Sequence, residues 1–151
     1  MVVDTESFDR QVRAYVYDAV FTQGAIPTVA ATANGLARTP GEIAAAFGRL
    51  ARGHVLVLQQ GGDEILMANP FSAVPTPFQV EAGGRVYWGN CLWDALGILA
   101  MLNVDGRLLA SCGDCGAAMT LAVRDGNVAD ASGVAHFSVP AKHWWDNIVF
   151  T

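Results

Sequence analysis

Apolar residues at Phe8, Val12, Tyr15, Val16, Ala19 and Val20 recur at three- and four-residue spacing. That period predicts an amphipathic helix, with Ser7 as N-cap and Gly24 beyond its end. A shorter helix is expected from Thr28 to Asn34. A third carries a capping box, with Thr39 at N-cap, Pro40 at N1 and Glu42 at N3. Its apolar face would hold Ile43, Phe47 and Leu50, and Gly53 would stop it. Two apolar runs, Val55 to Leu58 and Ile65 to Met67, flank Gly61-Gly62-Asp63 and predict a hairpin. Three helices and a hairpin is the element order of a winged helix. The third helix offers only Arg49 and Arg52, fewer cations than a groove-reading helix needs. The unit is therefore expected to be structural rather than DNA-binding.

From Ala68 to Val80 the chain holds three prolines, which excludes a helix and predicts an extended connector packed through Phe71, Val74 and Phe78. Gly83-Gly84 turns the chain into a short strand, Arg85 to Trp88, followed by a helix from Asn90 to Leu102 that is entered through Cys91. Leu108 to Ser111, Ala118 to Val123 and Ala135 to Val139 are strand candidates between Gly-rich and Asp-Gly turns. The pattern gives an α+β fold in three parts: a winged-helix-like unit over residues 1–67, a Pro-rich connector over 68–82, and a core with a mixed sheet and a Cys-bearing helix over 83–151.

Composition narrows the function classes. The chain has 151 residues, of which 52% are hydrophobic and 15% charged, so burial can offset the entropy of folding. Its net charge is −5 and its nine Lys and Arg are scattered, which argues against nucleic-acid binding. The apolar run Ala95 to Val104 is too short to span a bilayer. Residues 1–6 lack a basic region and a following apolar stretch, so no secretory signal is expected. These features imply a soluble cytoplasmic protein, and they leave homodimerisation open.

Three cysteines cannot all pair within one chain, and in a reducing compartment they are free thiols. Cys91 and Asp94 lie three residues apart at a helix start, on one face. Unpaired backbone N–H groups there would stabilise a thiolate, and the carboxylate could take and return a proton. The competing reading is a packed cysteine and a capping aspartate. Cys112-Gly113-Asp114-Cys115-Gly116 has the form of half a zinc knuckle, a redox dithiol or a soft-metal dithiol, and a tight turn with one structural cysteine is the plain alternative. A complete zinc site needs about two further ligands, so zinc is expected only if His54, His136, His143 or Cys91 joins the pair. His136 is expected in the core, His143 at the surface, and Trp144 and Trp145 in the core or at an interface.

The stretch Tyr87-Trp88-Gly89-Asn90-Cys91-Leu92-Trp93-Asp94-Ala95-Leu96 resembles the motif of the alkylmercury (organomercurial) lyase family, in which an aromatic residue precedes Cys-x-x-Asp on an apolar helix. The likeness continues into Leu109-Ala110-Ser111-Cys112, where the family has a strand ending in a structural cysteine. The Pro-rich connector and His143-Trp144-Trp145-Asp146 resemble a diverged branch. The resemblance covers most of the chain, and its specific part is residues 86–123.

The resemblance implies cleavage of a carbon–mercury bond, with Cys91 as the first thiol and Asp94 as the proton-transfer group. Cys91, Cys112 and Cys115 are the candidate metal ligands. It implies a small-molecule substrate, small thiols as partners and no required cofactor, mercury being part of substrate and product. The family's second catalytic cysteine is expected at or just beyond position 151, so the core reads as C-terminally short after Ile148-Val149-Phe150. The alternatives are a lyase fold recruited to other small-molecule chemistry, or a non-catalytic soft-metal binder or winged-helix regulator.

Overall fold

The computed structural model describes residues 4–129 and 132–150. Helix α1 (Thr5–Gln23) begins earlier than its apolar period suggests. Asp4, rather than Ser7, is its N-cap and accepts from the Glu6 N–H at 3.3 Å. Aspartate and serine cap about equally well, so the helix starts at the earlier cap and gains a turn with the acidic Glu6 near its positive end. Gly24, at φ 80°, closes it. Helix α2 (Val29–Leu36) is capped by Thr28, and α3 (Pro40–Arg52) carries the reciprocal Thr39–Glu42 box that the sequence predicts. Ile43, Ala46, Phe47 and Leu50 of α3 pack onto Phe8, Val12 and Val16 of α1. Arg49 is committed to Asp9, with contacts of 2.7 and 2.8 Å, which takes one of the two α3 cations out of play.

The hairpin follows as β1 (Val57–Leu58) and β2 (Ile65–Ala68). The proline-rich stretch is more than a connector. Its Phe71–Ser72 forms β3, which pairs antiparallel with β2 and completes a three-stranded sheet. Phe71 is fully buried, whereas Val74, expected to pack, is 41% exposed.

The second sheet has the order β5-β4-β6-β7-β8, from β4 (Gln79–Ala82), β5 (Arg85–Trp88), β6 (Gly106–Ser111), β7 (Ala118–Arg124) and β8 (Asn127–Ala129). Every pairing in it is antiparallel, where a mixed sheet was expected. Helix α4 (Leu92–Leu102) lies between β5 and β6 in the chain and buries Ala95, Ile98 and Leu99. The strand expected at Ala135 to Val139 does not form. Asp125 and Gly126 both adopt left-handed φ, 51° and 72°, the geometry that closes a tight hairpin, so the adjacent Asn127–Ala129 takes the edge position instead. Residues 135–138 are irregular and exposed, His136 among them. Ile148 to Phe150 likewise forms a turn rather than a strand, with Phe150 79% exposed. Before it, a 3₁₀ helix (Ala141–Asp146) presents Trp145, whose ring stacks on His54 with centroids 4.1 Å apart.

Two apolar clusters result, and they are joined. One unites α1–α3 with Leu56 and Ile65, and the other unites α4 with Val80, Ala82, Tyr87 and Leu108. Val20 of α1 and Phe71 belong to the second cluster, and Tyr17 and Ile26 pack against both. Phe71 meets Tyr17, Phe21 and Tyr87, with ring centroids 5.7–6.5 Å apart. Phe71→Ala should therefore lower stability by about 3–5 kcal/mol in urea unfolding. A loss below about 1 kcal/mol would show that this ring does not tie the clusters together.

Candidate active site at the start of helix α4

Gly89 sets the geometry between β5 and α4. Its N–H donates to the Phe78 carbonyl at 2.9 Å, and its own carbonyl accepts from Thr76 Oγ1 at 2.5 Å. It also bridges to Phe71. A side chain here would put Cβ 2.7 Å from the Ala95 nitrogen and 2.9 Å from its Cα, distances that real Cβ atoms do not reach. Only glycine lets the strand end pass this close to the first turn of α4. Thr76 and Phe78, both in the proline-rich segment, thus hold the loop that carries Cys91.

Asn90 is fixed from the other side. Its amide Nδ2 donates to Asn69 Oδ1 at 3.2 Å and to the Pro70 carbonyl at 3.4 Å. The Asn69 carbonyl accepts from the Tyr17 hydroxyl of α1 at 2.8 Å. A polar relay therefore runs from α1 through Asn69 to the residue preceding Cys91. Sequence reading missed Asn69 and Asn90. The Asn-Pro dipeptide marks a turn, but its partner is 21 residues away and no local pattern names it.

Cys91 is the N-cap of α4. Its backbone is extended, and its Sγ accepts from the Asp94 N–H at 3.5 Å. The structure therefore brings Cys91 and Asp94 together as expected. Burial pushes the Cys91 thiol up from its ordinary value, against the backbone N–H groups of Asp94 and Trp93 that favour the thiolate. The Asp94 charge and its hydrogen bond with the thiol push in the same direction as burial. The helix-terminus stabilisation expected for Cys91 is present but outweighed. Asp94 is also raised by burial, opposed by hydrogen bonds from Asn90 and Cys91. Both shifts favour a protonated thiol beside a partly desolvated carboxyl group. Beside this pair Trp93 is 66% exposed, an aromatic surface that sequence reading did not single out.

Cys112 and Cys115 occupy the β6–β7 turn. The Cys112 N–H donates to the Ala117 carbonyl at 2.8 Å, the Gly116 N–H donates to the Cys112 carbonyl at 2.9 Å, and Gly116 adopts φ 71°. Backbone N–H groups of Cys115 and Asp114, then the Cys115 side chain, favour the Cys112 thiolate and make it more acidic than an ordinary thiol. All three cysteines are free. Among the described residues no three His, Cys, Asp or Glu side chains converge as a metal site. Cys91 thus does not join Cys112 and Cys115 in one three-thiol site, and neither His54, His136 nor His143 completes a zinc set with the pair. The second cysteine expected at or just beyond position 151 lies outside the described residues.

The chain matches the family model described as alkylmercury lyase over residues 71–151, a span that includes Cys91, Asp94, Cys112 and Cys115. Its structure is similar to a crystal structure of the mercury-bound form of MerB2, with a TM-score of 0.58 and 20% sequence identity. That likeness covers 83% of this chain and 66% of the other, so the chain spans about two thirds of the relative's length, and at this identity it speaks for the fold. No curated protein matches the chain.

Two outcomes follow from the geometry. Gly89→Ala should cost about 1–3 kcal/mol through overpacking against Ala95, measured by urea unfolding, and an unchanged midpoint would refute the close approach. Near neutral pH iodoacetamide should label Cys112 before Cys91, because burial raises one thiol and turn N–H groups lower the other. Peptide mass spectrometry reads the order, and the reverse order would contradict these environments.

Proposed function

As the chain belongs to the alkylmercury lyase family, we propose that it cleaves a carbon–mercury bond at Cys91, with Asp94 carrying the proton. The observation that carries this reading is the Cys91 thiol beside Asp94 at the start of α4, its Sγ accepting from the Asp94 N–H at 3.5 Å, inside the matched span. The substrate is an organomercurial bearing one small thiolate. As mercury approaches, the Cys91 thiol proton passes to Asp94 and the sulfur bonds to mercury. Soft thiolates bind mercury tightly and weaken its bond to carbon. The carbon–mercury bond then breaks with its electron pair on carbon, and the Asp94 carboxylic acid protonates that carbon. Hydrocarbon leaves, and mercuric ion remains between Cys91 and the small thiolate.

A raised Asp94 suits this cycle. It must accept a proton from a thiol and release it to a carbanion, and an ordinary, strongly acidic aspartate would hold that proton too weakly in the first step. Small thiols are the partners the scheme requires, and a reducing cytoplasm is the compartment in which the three cysteines would stay free. No helix among the described residues is long and apolar enough to cross a membrane.

The test is benzene release from phenylmercury under excess small thiol. Cys91→Ser should abolish turnover, and Asp94→Asn should lower it about 10²–10⁴-fold. The wild-type rate should fall on acidification as Asp94 becomes protonated and can no longer take the thiol proton. Because Asp94 is raised, that limb lies above the ordinary aspartate range, and Asp94→Asn should remove it. Full activity in Cys91→Ser would sink the assignment.

A further inference from the structure

The β6–β7 turn carries two thiols that the cleavage chemistry leaves unused. Gln79 pairs with Trp88 on one side and with Leu109 on the other, so β5 and β6 run in the same direction with β4 between them. Trp88 and Leu109 therefore sit level with each other, two strand spacings or about 10 Å apart, and both chains run on toward the same end of the sheet. Cys91 lies three residues beyond Trp88, and Cys112 lies three residues beyond Leu109. Both reactive segments leave the sheet on that side.

We propose that the Cys112–Cys115 turn is a second soft-metal site, which takes the mercuric product from Cys91 as a two-coordinate bis-thiolate. The proposal rests on the lyase reading for the source of the ion. The Gly116 N–H bond to the Cys112 carbonyl curls Cys112 and the exposed Cys115 into one tight turn, so a small side-chain movement places two sulfurs around one ion. The turn is already closed by the Cys112–Ala117 and Gly116–Cys112 hydrogen bonds, and little ordering is left to be done on binding. With two sulfurs and no third protein ligand among the described residues, it suits an ion content with two soft donors and fails the tetrahedral demand of zinc.

The transfer is thiolate exchange, with mercury divalent throughout. Two sulfur–mercury bonds form, to the Cys112 thiolate and to Cys115, while the bonds to Cys91 and to the small thiolate break. The Cys115 proton passes to the Cys91 sulfur, and the small thiolate leaves. A chelating pair gains over one protein sulfur and one diffusible thiol because its second sulfur is held at high effective concentration. Cys91 returns to its neutral thiol.

The measurement uses the full chain, one equivalent of mercuric salt and an excess of a small monothiol, followed by native mass spectrometry and alkylation mapping. Wild type should retain one mercury with Cys112 and Cys115 both protected from alkylation. Cys112→Ser and Cys115→Ser should each weaken retention by about 10²-fold, while Cys91→Ser should retain the ion. Zinc salt under the same conditions should not be retained. Cys115 is exposed, so Cys115→Ser should unfold at the wild-type temperature, which separates loss of a ligand from loss of fold. Retention by Cys115→Ser equal to wild type, or loss in Cys91→Ser alone, would overturn the site. Because mercuric salt bypasses carbon–mercury cleavage, absent benzene release with intact retention would remove the lyase reading and keep this one as a binding site.

Discussion

The carbonyl and amide of Gly89 are held by Thr76 and Phe78 on one side, while the backbone of Ala95 lies on the other with no room for a side chain between. This close approach turns a strand end directly into a helix start. Cys91 follows two residues after Gly89, and the chain must reach extended backbone there to cap α4. The orientation of Cys91 and Asp94 thus depends on a backbone contact made before either residue. The proline-rich segment supplies most of what enforces it, since Phe71, Thr76 and Phe78 all bind Gly89.

That enforced position explains why two thiols of one chain differ in character. Cys91 is half-buried, and the cost of placing charge there exceeds what its backbone donors return. Cys112 is itself partly buried, but in its open turn the similar backbone donors outweigh desolvation and make the thiol more acidic. A neutral thiol beside a carboxylate stays protonated until something displaces the proton, and a soft cation that bonds to sulfur does so. A more acidic thiol beside an exposed second one, as in the Cys112–Cys115 turn, has no such selectivity.

What the sequence disclosed and what it hid divide along the same line, between local and distant interactions. The Thr39–Glu42 box, the hairpin around Gly61-Gly62 and the Cys91–Asp94 spacing are complete within a few residues, and each is found where its pattern places it. The apolar period begins at Phe8 and so points to Ser7 as the cap, yet capping needs only a polar side chain at the right backbone angle, which Asp4 provides. Ala135 to Val139 has strand-forming residues, but the Asp125-Gly126 turn makes its hairpin with the segment that follows at once. The strand at Phe71 is hidden by its prolines, because only the distant edge of β2 gives it a partner. Asn69 and Asn90 carry no signal until the fold brings them within 3.2 Å.

The distant interactions also give the N-terminal helices a reason to belong to this molecule. Their one bidentate cation contact from α3 is spent internally on Asp9. Yet α1 contributes Val20 to the core beneath α4, and its Tyr17 hydroxyl is the outer end of the relay through Asn69 to Asn90. Tyr17 is itself raised by burial, so that hydroxyl remains a donor across the range in which thiols titrate. A core sheet lacking α1 would expose the Phe71 cluster and leave the Asn69 carbonyl without this donor. Asn90 would then be anchored to a looser turn immediately ahead of Cys91. The helical unit and the thiol–carboxylate pair are thus parts of one packing solution, in which the geometry of Cys91 is set from α1 as much as from α4.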